Sequence, residues 1–264
     1  MEERLPPLLT DALALGAARV VAFTGGGGKT AALYRLARER HAERVLVTTT
    51  TRIWAPGPAE GPLTLVASHD EARRAARDPA WRGGRRVLGT ALTAEGKLLG
   101  LPPEWIDDLA AAVDLVVVEA DGAAGKPLTA PRAYEPVIPS ATDVLVPVAG
   151  ADVLGAPLTP ERVHRAAEMS ALLGVPLGTP LAADLVARVL LDERGNVKGA
   201  PAGARIVPLI NKVDDAGREA AARALAEALL ARGAQRVVLA RLASETPVVA
   251  ALASAAQGVG RGAK

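Results

Sequence analysis

The chain has 264 residues, 50% of them hydrophobic, with a formal net charge of +2, three histidines and no cysteine. That length permits a sizeable core, while the cysteine count excludes disulfides, thiolate metal sites and cysteine nucleophiles, and so few histidines argue against structural zinc. No apolar run reaches the roughly 18 residues of a membrane span, no signal-peptide pattern opens the chain, and the small charge demands no polyanion; the expectation is a soluble cytoplasmic protein, without nucleic-acid or membrane partners.

Residues 1–18 read as an amphipathic lead-in, with Leu8, Leu9, Leu13 and Leu15 available to cover a sheet edge. Val20, Val21 and Phe23 then predict a short buried strand, four glycines a turn, and Leu33, Leu36 and Ala37 a helix with one apolar face. Strand, glycine turn, Lys-Thr and helix make a phosphate site. Gly25, Gly26, Gly27 and Gly28 let backbone N–H groups approach an anion, and the helix N-terminus adds about half a positive charge. Lys29 is placed for the β- and γ-phosphates and the Thr30 hydroxyl for Mg²⁺. Phe23 stands where the pattern G-x-x-x-x-G-K-[ST] has its first glycine, so the loop is the shorter Gly25-x-x-Gly28-Lys29-Thr30.

Arg44–Val47 predicts a second strand running into Thr48–Thr51. Ligands of open α/β sheets bind at strand carboxyl ends, so Thr49 and Thr50 are candidate hydroxyls for the metal and γ-phosphate. A Pro- and Gly-rich loop over 55–62 precedes a strand at Leu63–Val66, and Ser68 with Glu71 forms a capping box for a helix ending near Asp78. Arg73, Arg74, Arg77, Arg82, Arg85 and Arg86 make the densest basic patch, and it reads as a solvated face because aromatic residues are sparse there. A strand at Val87–Leu88 and a helix over Glu104–Val113 follow.

Asp114–Gly122 carries four consecutive apolar residues, the mark of a strand buried on both faces, and ends in Glu119-Ala-Asp121-Gly122. Acids where such a strand emerges are the second half of a phosphate-loop site: one holds Mg²⁺ directly or through water, and the other orients a nucleophilic water. The Pro-rich segment 123–139 is long enough for a lid or binding loop, and Lys126 within it is a candidate source of transition-state charge. Thr142–Val148 predicts a strand. Thr159-Pro160-Glu161 predicts a helix with Pro at its first position, carrying His164 and Arg165, and Leu181–Leu191 another. Arg205–Asn211 predicts a strand ending in Asn211-Lys212-Val213-Asp214, the Asn-Lys-x-Asp pattern by which GTPases set a carboxylate against guanine and a lysine stem along the base. A helix over Ala216–Arg232 closed by Gly233 and a last strand at Arg236–Ala240 complete the order, with a frayed tail after Gln257.

Together these elements predict an α/β chain of one domain over 1–264: a three-layer P-loop NTPase-like fold with a mostly parallel central sheet. In order, Thr-Gly-Gly-Gly-Gly-Lys-Thr, Val-Thr-Thr-Thr-Thr, Val-Glu-Ala-Asp-Gly, Glu-Pro-Val-Ile-Pro, Val-His-Arg and Asn-Lys-Val-Asp resemble the YqeC family of selenium-dependent molybdenum hydroxylase accessory, or selenium cofactor biosynthesis, proteins. The resemblance implies a nucleotide-binding accessory protein, with ATP or GTP and Mg²⁺ at Gly25–Thr30, Glu119 and Asp121 as the strand-end acids, and His164-Arg165 as a supporting or substrate pair. The implied partner is a molybdenum hydroxylase or its maturation chaperone. Two other functions fit parts of the pattern: ATP-dependent carboxylate activation, because the short loop is similar to that of the Mur ligases, and a nucleotide-gated binding module with little turnover of its own.

Overall fold

The computed structural model describes residues 8–254; the expected frayed tail after Gln257 lies outside them. The β-branched runs assemble into a ten-stranded sheet. Its order from one edge is Leu63–Leu65, Gly84–Gly89, Arg44–Thr49, Leu115–Glu119, Val20–Gly25, Val144–Gly150, Leu209–Asn211, Arg236–Ala240 and Val248–Ala253, with Arg205–Ile206 also on Val144–Gly150. All these pairs are parallel except the last, Arg236–Ala240 with Val248–Ala253.

Alternation along the strands produces the three layers. Val21, Phe23, Val45, Val47 and Val117 face Leu33, Leu36 and Ala37 of helix Lys29–Glu39. Val20, Ala22, Leu46, Val116 and Val118 face the opposite way onto Ile106 and Leu109 of helix Pro103–Leu109. On that same side Ile210 and Leu239 pack with Val186 and Leu190 of helix Ala183–Leu191 and Leu225 and Leu229 of helix Ala216–Ala231. Because both faces are covered, the strands read as continuous apolar runs.

The glycine-loop strand Val20–Gly25 is the topological switch point. The chain lays down Arg44–Thr49, Leu63–Leu65 and Gly84–Gly89 on one side of it, returns through Leu115–Glu119 beside it, and builds the rest on the other. Both neighbours of the glycine loop therefore diverge at their carboxyl ends, which is where such sheets bind ligands.

The structure corrects the sequence reading in four places. No helix opens at Thr159: its carbonyl accepts from Arg162 and Val163 in a turn, Val163–His164 pairs with Leu128–Thr129, and helix Ala166–Leu173 begins only after Arg165, which is left-handed at φ 61°. The strand expected over Arg205–Asn211 is two pieces, because Pro208, like Pro147 in the neighbouring strand, has no N–H for the ladder. Arg236–Ala240 is followed by a further strand, Val248–Ala253, antiparallel at the edge; its alanines carry little strand propensity of their own. Residues Arg52–Trp54, Ala91–Leu92 and Lys97–Leu99 form a separate three-stranded sheet, too short to register as strands in the sequence.

Candidate functional site

Gly25 ends its strand with φ 88°, and Gly27 and Gly28 follow at 77° and 129°. These are left-handed conformations that glycine adopts without the steric cost of a Cβ. The crowding is as severe as the dihedrals. A Cβ on Gly27 would lie 2.1 Å from the Gly150 nitrogen, and one on Gly28 2.3 Å from Asn211 Nδ2. The loop is clasped by its neighbours: Gly26 N donates to the Val148 carbonyl at 2.8 Å and Gly27 N to the Lys126 carbonyl at 2.9 Å.

Lys29 opens the following helix but points its side chain back under the loop, where it is 4% exposed. Its ammonium donates to the Gly25 carbonyl at 2.5 Å and lies 3.2 Å from Asp121 Oδ1 and 3.7 Å from Glu119 Oε1. The Thr30 hydroxyl donates to Glu119 Oε2 at 2.7 Å, and Gly25 N donates to Asp121 Oδ2 at 2.9 Å. Glycine loop, lysine, threonine and both strand-end acids thus form one connected unit. Burial on its own lowers the Lys29 pKa, but the carboxylates of Asp121 and Glu119 outweigh it and the ammonium titrates above its ordinary value. Asp121 is fully buried, and desolvation raises its pKa to about 6 against the pull of Lys29 and Gly25 N–H.

That shift has a sign that can be tested. Asp121 binds its proton more tightly folded than unfolded, so its contribution to stability is fully present below about pH 4 and is lost as pH rises through about 6. Urea unfolding of Asp121→Asn should therefore show a stability difference from wild type that grows in the variant's favour between about pH 4 and 6 and flattens above. A difference independent of pH would contradict a buried, titrating Asp121.

The residues present fit a Mg²⁺ ion. Two carboxyl groups face one ammonium in a buried setting, which leaves more acid than cation there. The donors are all oxygen, as a hard cation requires, and Mg²⁺ is ordinarily held by one or two carboxylates together with substrate phosphates. Thr30 with one of the two acids, Glu119 or Asp121, would hold the ion, which leaves the other acid for the attacking water.

A cavity of about 650 Å³ starts at Gly27, Gly28 and Thr30 and ends against Asn211, Lys212 and Asp214. Asn211 ties its two ends together: Nδ2 donates to the Gly27 carbonyl at 2.8 Å, and Oδ1 accepts from Leu242 N at 3.0 Å. Lys212, left-handed at φ 62°, pairs with Asp152 at 2.8 Å, and Asp214 pairs with Arg218 at 2.8 Å. Sequence reasoning missed the remaining wall, which includes Tyr34, Arg38, Trp54 and Leu242. The structure spends other candidates differently. The hydroxyls of Thr49 and Thr50 donate to the carbonyls of Glu119 at 2.7 Å and Val137 at 2.6 Å, tying strand ends together. Lys126 gives the loop its backbone carbonyl, while its ammonium donates to the Glu161 carbonyl at 3.0 Å. Arg165 is buried against Glu135 at 2.6 Å, and beside it the His164 pKa is lowered, by burial first and then by the Arg165 charge.

Fold and site define a three-layer α/β protein with a P-loop-like glycine turn at the switch point of its sheet. The profile of the YqeC protein family matches residues 21–167, a span that includes the glycine loop, Glu119, Asp121 and Arg165. The chain is also similar to the "Uncharacterized protein YqeC" of Escherichia coli (strain K12), at 34% identity over 205 residues, or 73% of this chain and 75% of the relative. It belongs to the YqeC family. Among the described residues no helix is long and apolar enough to cross a membrane.

Proposed function

We propose that this chain binds a Mg²⁺-bound nucleoside triphosphate, ATP or GTP, and hydrolyses it as a cytoplasmic accessory protein in the maturation of selenium-dependent molybdenum hydroxylases. One observation carries the nucleotide reading: a buried lysine held between a glycine loop and two strand-end acids, with Gly27, Gly28 and Thr30 of that loop lining a cavity shared with Asn211, Lys212 and Asp214. The pathway is supported by the family resemblance.

In this reading the N–H groups of Gly28, Lys29 and Thr30, at the start of the helix, surround the phosphates, and Lys29 turns from its carboxylates to the β- and γ-phosphates as they enter. Mg²⁺ supplies charge neutralisation on the phosphate oxygens. Glu119 keeps Thr30 in place. Asp121, with its raised pKa, accepts the proton of the water that attacks the γ-phosphorus as the β–γ bridging bond breaks, giving a nucleoside diphosphate and phosphate. Asp214 meets the base.

The placement of Lys126 favours a nucleotide-gated module as the second form of this reading, because its charge is engaged at Glu161 and the site lacks its contribution until a partner rearranges the loop. Phosphate release from Mg²⁺-ATP and Mg²⁺-GTP, with and without a molybdenum hydroxylase or its maturation chaperone, separates the two. Slow turnover stimulated by the partner is the expected result. Rates near ~1–1000 s⁻¹ without a partner would make the chain a free-standing NTPase, and no phosphate release under any condition would remove hydrolysis from the proposal.

A further inference from the structure

The cavity has a wall that neither the glycine loop nor Asn-Lys-Val-Asp explains. Trp54 contributes to it while 66% exposed, the most exposed of the large apolar side chains among the described residues. Its position is nonetheless defined. Ile53 beside it is buried, and the register of the small sheet sets Trp54 opposite Lys97, whose ammonium lies 5.3 Å from the ring centroid. The indole is thus held in place on the cavity wall with ring surface left open for a flat ligand to stack on.

A second observation comes from the helix that the glycine loop opens. Ala31, Tyr34 and Arg38 share one side of it at helical spacing and line the same cavity. Tyr34 is 6% exposed, yet its hydroxyl has no hydrogen-bond partner. Buried hydroxyls are nearly always paired, so an orphan on a residue that lines a cavity marks a place where a ligand supplies the partner.

We propose that Trp54 is the surface on which the base of the bound nucleotide stacks, and that the Tyr34 hydroxyl hydrogen-bonds the nucleoside. This rests on the nucleotide reading above and adds to it a division of labour. The glycine loop binds phosphates, Trp54 binds any purine through its π-face, and Asp214 selects between purines.

The test uses the full chain with Mg²⁺ and three probes: GTP, ATP and inorganic tripolyphosphate, which has phosphates and no base. Calorimetry reads affinity. Tryptophan emission reads stacking, because Trp81 is buried beneath Arg86 and Trp105 is already stacked on His69. Both nucleotides should quench emission and tripolyphosphate should not. Trp54→Ala should lose the quench and bind nucleotide about tenfold more weakly, with tripolyphosphate affinity unchanged, and Trp54→Phe should recover most of the loss. Tyr34→Phe should weaken nucleotide a few-fold and leave tripolyphosphate alone. Wild-type nucleotide affinity in Trp54→Ala, or an equal loss for tripolyphosphate, would overturn the stacking role and leave the phosphate site standing. Failure of the wild-type chain to bind any of the three would overturn the nucleotide reading itself.

Discussion

Lys29→Met is expected to abolish nucleotide binding and to lower any turnover by at least ~10²–10³-fold, the usual cost of removing one preorganised donor at developing charge. The wild-type ammonium is buried, hydrogen-bonded to the Gly25 carbonyl and paired with Asp121 and Glu119. Methionine keeps the length and apolar stem of the side chain but leaves those carboxyls without their cation. Breaking a buried pair in this way costs about 3–5 kcal/mol. Part of that is recovered here, because Asp121 already titrates near 6 and without Lys29 it is driven further up, so that it takes a proton at neutral pH. The variant should therefore remain folded, since a domain has about 5–15 kcal/mol to lose. The check is a pair of measurements on one preparation: a cooperative urea transition retained, and nucleotide binding gone. Binding at wild-type affinity would remove Lys29 from the site.

Gly27→Ala should damage the fold and the site together. The residue sits at φ 77°, where an L side chain is strained, and its Cβ would lie 2.1 Å from the Gly150 nitrogen and 2.6 Å from the Gly150 Cα. Those atoms are backbone of the neighbouring strand and cannot rotate away. The left-handed penalty alone is about 1–2 kcal/mol, and the forced displacement brings the expected total to ~3 kcal/mol. For a chain of this size that is a fall of roughly 6–12 °C in melting temperature. Loss of phosphate affinity should exceed the loss of stability, because the same displacement breaks the bonds from Asn211 Nδ2 to the Gly27 carbonyl and from Gly27 N to the Lys126 carbonyl. Gly125, at φ 74° with open space around it, is the control: Gly125→Ala pays only the dihedral cost. Equal behaviour of the two variants would show that crowding at Gly150 is not what fixes the loop.

The parts of the site that were legible in the sequence are those whose chemistry is local. Strand, four glycines and Lys29-Thr30 are contiguous, and the parallel-sheet rule puts Glu119 and Asp121 on the same edge once Leu115–Glu119 is recognised as doubly buried. Asn211-Lys212-Val213-Asp214 was legible as a pattern, but the bond from Asn211 to the loop depends on two strands lying on either side of Val144–Gly150. Tyr34 and Trp54 gave no signal, because one looks like a core aromatic at helical spacing and the other like the end of a Pro-rich loop. They come to line one cavity only through the small sheet that pins Trp54 opposite Lys97. The error at Thr159–Arg165 has the same origin: a Pro at a helix start is a local preference, and the pairing of Val163–His164 with Leu128–Thr129 is a tertiary one that overrides it.

Nucleotide binding at Lys29 is tested most directly by one titration: the wild-type chain and Lys29→Met, each with Mg²⁺-GTP and Mg²⁺-ATP, followed by calorimetry. Saturable binding to the wild type, dependent on Mg²⁺ and lost in Lys29→Met, is the predicted result; tighter binding of GTP would make Asp214 the base reader, and tighter binding of ATP would make the Asn-Lys-Val-Asp match coincidental. No heat of binding from either nucleotide to a folded wild-type chain would contradict it.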